Sequence, residues 1–374
     1  YDKVLEIDPS DAEALTAMEE LFMRTERWTD LIGVVRRRIE LADDPTERER
    51  LFAQVAAVYD EKLDKPEDAI GAYSEVLAFD DTSLMALQAL DDLYTRQKMH
   101  EHLAENLEAQ LRLAETEEAE IAFMLRLAAL QEGELELIEA AIETYRHVIE
   151  RQAQNESATA ALERLGKLEA YELEIAELLG PLYRDFGDYQ KLLGVYEVQV
   201  RRSDDPNRAV ELLHEMSTLH EDAGGDLNAA FSTLARALEI DPAWEQTQQG
   251  LQRLASATER FADLARVYET LAAKQDDVEL GIRLYTISAQ IYETQLGAAD
   301  NAIAHYRKII ELDPSYLAAV EALENIFRAG DRYDELSSVL QQRSMLLHDL
   351  DNQKAALMQA AQIEEEVLER LDNA

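Results

Sequence analysis

Apolar residues recur along this chain at intervals of three and four, the spacing that gathers them on one face of a helix. Residues 66–137 hold four such stripes in succession. PEDAIGAYSEVLAF groups Ala69, Ile70, Tyr73, Val76 and Leu77, and TSLMALQALDDLYTR groups Leu84, Leu87, Leu90, Leu93 and Tyr94. HLAENLEAQLRLA aligns Leu103, Leu107 and Leu111. EEAEIAFMLRLAAL aligns Ile121, Met124, Leu125 and Ala128, the last small enough for a neighbouring helix to come close. Pro66 suits a first helical turn, where its missing N–H costs nothing. The short connections between stripes predict antiparallel helical hairpins. No helix of this kind buries its stripe alone, whereas stacked hairpins bury a continuous core.

The pattern is also repeated at long range. YDKVLEIDPSDAEAL at Tyr1 returns as YSEVLAFDDTSLMAL at Tyr73, YRHVIERQAQNESAT at Tyr145, LARALEIDPAWEQTQ at Leu234 and YRKIIELDPSYLAAV at Tyr306, in steps of 72, 72, 89 and 72 residues. These steps predict a truncated first unit over 1–65, a second over 66–137 and a third over 138–226 with about 17 extra residues around 153–181. A fourth follows over 227–298 and a fifth over 299–374, in one continuous array. In the third unit, Gly166, Gly180 and Pro181 are the expected breaks, and the spacing of Leu168, Tyr171, Ile175 and Leu178 predicts an additional helix.

These residues resemble the tetratricopeptide repeat, a helical hairpin of about 34 residues. AIxxYxxVLxxDP carries the likeness: Ala302, Ile303, Tyr306 and Pro314 in one copy, Ala230, Phe231 and Pro242 in another, where Leu234 replaces the tyrosine. Tyr1 and Pro9 match in the first copy, and Asp81 takes the proline position in the second. The alternate hairpin is a degenerate version whose aromatic position holds Trp28, Tyr189, Phe261 and Tyr333, with His100 as the exception. Its closing loop, Asp43–Pro45, Asp204–Pro206 and Asp276–Asp277, supplies carboxylates suited to capping the next helix. The resemblance implies an all-α fold of the alpha–alpha superhelix class, a solenoid of antiparallel hairpins that binds other proteins. It also implies that the first helix of each hairpin lines a concave groove. On that basis Arg24, Arg96, Arg184 and Arg328, each just after the aromatic-bearing position of a corresponding helix, are the candidate binding residues. They would form a ladder facing an acidic peptide, because a guanidinium meets a carboxylate bidentately. Each also sits in a last helical turn, where a cation offsets the negative helix end without any ligand.

Composition narrows the function further. Asp and Glu total 78 against 36 Lys and Arg, a formal charge of −42. That field repels nucleic acid and anionic lipid, so neither is expected as a partner; it predicts basic protein partners and salt-sensitive association. No apolar run reaches the ~18 residues of a membrane span. Cysteine is absent, which removes disulfides and thiolate sites while leaving the compartment open, with the cytoplasm as the default expectation. The first residue is Tyr1 rather than Met, and no polar terminal cap is visible, so a fragment of a longer array is expected.

Little points to chemistry. His214 and His220 are six apart rather than the four that put both on one helical face, and Gly224–Gly225 lacks the lysine of a phosphate loop. The acidic runs Glu115–Glu120 and Glu364–Glu366 lack a cation loop's spacing. No cofactor, metal site or enzymatic activity is expected. The leading expectation is a protein-interaction scaffold. The alternatives are a self-assembling spacer or filament, and a regulatory segment of a larger protein.

Overall fold

The computed structural model describes residues 1–370. These form 21 α-helices and no strand, and divide into two compact units, the first ending at Leu178 and the second beginning at Leu179.

The first unit opens with α1 (Asp2–Ile7), α2 (Ala12–Arg24), α3 (Trp28–Leu41) and α4 (Pro45–Ala57), which runs on as a π-helical turn, Val58–Lys62. It continues through α5 (Pro66–Phe79), α6 (Leu84–Gln97), α7 (His100–Arg112), α8 (Glu117–Gly133), α9 (Ile138–Arg151) and α10 (Glu156–Leu165). The division falls within α11 (Glu172–Phe186). The second unit continues with α12 (Tyr189–Arg202), α13 (Pro206–Asp222), α14 (Leu227–Ile240), α15 (Glu245–Thr258) and α16 (Phe261–Lys274). It ends with α17 (Val278–Thr294), α18 (Ala299–Leu312), α19 (Leu317–Ala329), α20 (Tyr333–Leu346) and α21 (Leu350–Glu366). From α1 to α10, and again from α12 to α21, every helix packs on the next one in the chain. This is the alpha–alpha superhelix class of fold, built from helical hairpins.

Local chemistry accounts for the boundaries. The loop carboxylates cap as expected: Asp44 accepts from Glu47 N (3.3 Å), Asp205 from Asn207 N (3.0 Å) and Asp277 from Glu279 N (2.9 Å). Pro45, Pro66 and Pro206 each occupy a first turn. Inside alternate hairpins the chain turns on one left-handed residue: Glu26 (φ 55°), Lys98 (φ 55°), Gly187 (φ 69°), Glu259 (φ 57°) and Asp331 (φ 54°). In each case the next N–H closes the helix end on a carbonyl five residues back, as in Met99 N to Tyr94 O at 2.9 Å. Four of the five are not glycine, which hides this turn from a reading based on glycine and proline.

Small residues stand where helices cross. Ala69, Ala141, Ala230 and Ala302, at equivalent positions of the repeat, are fully buried, as is Ala128. Tyr145, Tyr292 and Tyr306 are core residues, while Tyr73 and Trp28 pack against the core from its edge.

Residues 138–226 contain five helices where 66–137 contain four. Gly166 ends α10, but Gly180 and Pro181 do not break the chain: both lie inside α11. Gly180 serves close approach, since a Cβ there would stand 3.2 Å from Val195 Cγ1. Pro181 removes one N–H from the ladder without ending the helix. Ile175 is buried as its spacing predicted, whereas Leu168 is an exposed turn residue ahead of the helix.

Candidate binding surface

The helix faces carry two kinds of polar arrangement, and both arise from the repeat. The first is a carboxylate in the middle of an otherwise apolar stripe. On α2, Glu19 follows Leu15 and Met18 and is 8% exposed. It pairs with Arg38 of α3 and accepts from Gln54 Nε2 of α4 at 2.6 Å. On α6, Asp91 is equally buried and accepts two bonds from the Arg126 guanidinium of α8 (2.6 and 2.9 Å) and one from Gln110 of α7 (2.9 Å). Burial pushes the Asp91 carboxyl up, but those bonds outweigh it and hold the group below the usual aspartate value. On α19, Glu324 accepts from Arg343 of α20 (2.9 Å) and from Arg328 (2.7 Å). One carboxylate thus ties together two or three helices at each of these places.

The second arrangement lies at the ends of α8 and α13. Glu132 accepts from Tyr145 Oη (3.1 Å) and from Arg164 (2.7 Å), and Glu221 accepts from Arg253 (2.7 Å). Burial, then the neighbouring Glu132 charge, push the Tyr145 hydroxyl up to about 12.

The four arginines proposed from sequence meet different fates. Arg24 is exposed and forms no ion pair or side-chain hydrogen bond among the described residues. Arg96 is paired with Asp60 at 2.6 Å. Arg184 donates to Tyr196 Oη at 2.9 Å, and Arg328 is shared between Glu324 and Gln359. Three of the four are engaged within the chain, and no two share a partner. The sequence reading passed over the buried carboxylates themselves. Their signal was available, because Glu19 and Asp91 are 72 residues apart and both interrupt an apolar stripe.

His214 diverges from His220, as its spacing requires. Its Nε2 lies 2.7 Å from Thr247 Oγ1 and its ring stands 6.4 Å from that of Trp244; burial lowers its pKa.

A cleft of ≈ 360 Å³ opens in the second unit between α15 and α17, with α16 as its floor. Leu264 and Tyr268 lie beneath it, fully covered, and Phe261, Ile287 and Ile291 are half-buried. Its rim is set by glutamines of both walls, with Glu245 the one charged lining residue. A wider cleft of ≈ 810 Å³ involves α18, α20 and α21, but its ions are largely committed: Arg370 pairs with Asp334, and Glu335 with Arg332.

Two models of the tetratricopeptide repeat match the sequence, one over residues 14–49 and the other over 282–316. The first match spans α2 and α3; the second covers most of α17 and all of α18. The chain carries tetratricopeptide repeats at these two places. No curated protein matches it. Among solved structures, the P58(IPK) TPR domain is 13% identical, aligned over 96% of this chain and 99% of its own, with a TM-score of 0.25. The structure of Naa15/Naa10 bound to HypK-THB is 15% identical over 100% of this chain and 63% of that one, with a TM-score of 0.31. A tetratricopeptide repeat protein from Parabacteroides merdae is 16% identical over 73% and 97%, with a TM-score of 0.23. Tetratricopeptide repeats are protein-interaction scaffolds and generally non-catalytic. Among the described residues, no helix is long and apolar enough to cross a membrane.

Proposed function

We propose that this tetratricopeptide repeat chain is a non-enzymatic scaffold that receives extended, predominantly basic protein segments along the first helices of its hairpins. The charge of −42 carries the reading. It draws cationic segments from a distance, repels nucleic acid, and makes association fast and salt-dependent. Of the arginines suggested as a ladder for acidic ligands, only Arg24 has an uncommitted guanidinium, so an acidic partner is the weaker expectation. The test is anisotropy of labelled unstructured peptides, one lysine-rich and one glutamate-rich, at low and high salt. Binding of the lysine-rich peptide at low salt alone is expected, and its failure at low salt overturns the basic-partner reading. Replacing Arg96→Glu together with Arg184→Glu should leave that binding intact, since both guanidiniums already serve the fold.

Self-association is a second reading, favoured by α21, which exposes Leu350 (68%), Leu357 (48%) and Met358 (72%). Light scattering against concentration tests it, and a monomer at every concentration excludes it.

A further inference from the structure

The α15–α17 cleft exists where the repeat abandons its own polar pattern. The position held by Glu19, Asp91 and Glu324 is Gln252 in this unit. The positions of their partners Arg38 and Arg343, and of Gln54 and Arg126, become Leu271 and Ile287. An uncharged amide has replaced the carboxylate, and the cationic or amide side chains that reached across to it are aliphatic. Nothing draws α17 side chains over α15, and the space between the two helices stays open above an apolar floor.

Two glutamines with uncommitted amides line it, one on each wall. Gln248 Nε2 donates to Pro242 O (2.7 Å) and Gln249 Nε2 to Glu245 Oε1 (2.9 Å), so both are occupied. Gln252 on one wall and Gln290 on the other are exposed, and their side-chain amides form no hydrogen bond among the described residues. A primary amide both donates and accepts, which matches the N–H and C=O of a peptide group; the carboxylates elsewhere in the array only accept. Below them, Phe261 and Ile291 present half-buried apolar surface in a volume suited to one large side chain. Glu245 is the single charge in the lining, so a cationic side chain finds little pairing there and an acidic one is repelled.

We propose that this cleft docks an extended polypeptide segment through one large uncharged side chain, leucine-like or aromatic, whose flanking peptide groups bond to Gln252 and Gln290. The proposal rests on the scaffold reading and narrows it. Basic stretches of the partner beyond the docked segment give it its approach, and the uncharged anchor gives it its register.

The test is selection of a phage-displayed library of random short peptides on the full chain, with the winning peptide synthesised and titrated by anisotropy. The expected consensus is an apolar anchor between uncharged residues. Affinity should fall about tenfold in the double variant Gln252→Glu with Gln290→Glu, which removes two donors, and should change little with salt. Thr294→Arg, on the exposed rim, fills the cleft without touching the core and should have at least the same effect; circular dichroism verifies both folds. A consensus rich in lysine and indifferent to these variants overturns the cleft while the scaffold reading stands. An apolar consensus whose affinity the variants leave unchanged also overturns it. Failure to enrich any peptide overturns both readings.

Discussion

The α6–α8 region and the α15–α17 region occupy the same register of the repeat and solve the same problem differently. Three helices must meet around the middle of the first one. In α6–α8 a buried aspartate collects an arginine and a glutamine, and the helices are bonded to one another through it. In α15–α17 the corresponding residues are Gln252, Leu271 and Ile287, and the helices meet through apolar packing beneath an open cleft. The difference teaches that the array tolerates two kinds of joint. A charged joint fixes orientation at a desolvation cost. The uncharged joint dispenses with that cost and leaves surface available to a ligand.

Removing the two acceptor positions should separate these joints most sharply. Asp91→Ala strands the buried Gln110 amide and releases Arg126, which is partly solvent-exposed. A loss of about 2–3 kcal/mol is expected in urea unfolding, less than for a fully enclosed pair. Gln252→Ala should cost under about 0.5 kcal/mol, as for an ordinary surface position. Equal costs would break the comparison.

Acid should find the charged joint first. The Asp91 carboxyl is held below its ordinary value by Arg126 and Gln110 against the opposing effect of burial. Its contribution is therefore full above the unfolded aspartate value of about 3.9 and disappears as pH falls through the lower folded value. Asp91→Asn should flatten that part of the acid unfolding curve, while Gln252→Ala leaves it unchanged.

Base distinguishes the regions by cause. Tyr145 and Tyr268 are both pushed up to about 12, Tyr145 by burial and then by Glu132, Tyr268 by burial alone. A raised tyrosine stabilises the fold fully below the unfolded value of about 10, and that contribution is lost as pH climbs through the folded one. Ultraviolet titration of Glu132→Gln should lower the Tyr145 midpoint and leave Tyr268 in place.

The smallest effect concerns the turn the two regions share. Lys98 and Glu259 hold the left-handed conformation without being glycine. Lys98→Gly and Glu259→Gly should each raise stability by up to about 1 kcal/mol, and by similar amounts, because the Cβ strain removed is the same. A gain at only one would show that the two turns are not equivalent.

Much of this molecule was legible in the chain. The helices of 66–137 and the caps at Asp44, Asp205 and Asp277 follow from short-range spacing. A helix is stabilised by neighbours three and four residues away, which a sequence displays directly. Gly180 and Pro181 misled for the same reason: they read locally as a break, whereas α11 passes through them and Val195 takes the space the glycine leaves. The partners of the arginines were not legible, because a guanidinium's role depends on what stands opposite it, and Asp60, Tyr196 and Glu324 come from other turns or other helices.

By itself, then, the sequence determined the period, the hairpins and the apolar faces that oblige them to stack, since all three are written in near-neighbour spacing and repeated. Only the tertiary structure decided which polar groups are joined and which stay open. Gln54 reaches Glu19 from 35 residues away, and Gln252 and Gln290 acquire a cleft between them only once α15 and α17 lie over the same floor. Hydrogen bonds act over a few ångströms, and that proximity is set by packing rather than by order along the chain.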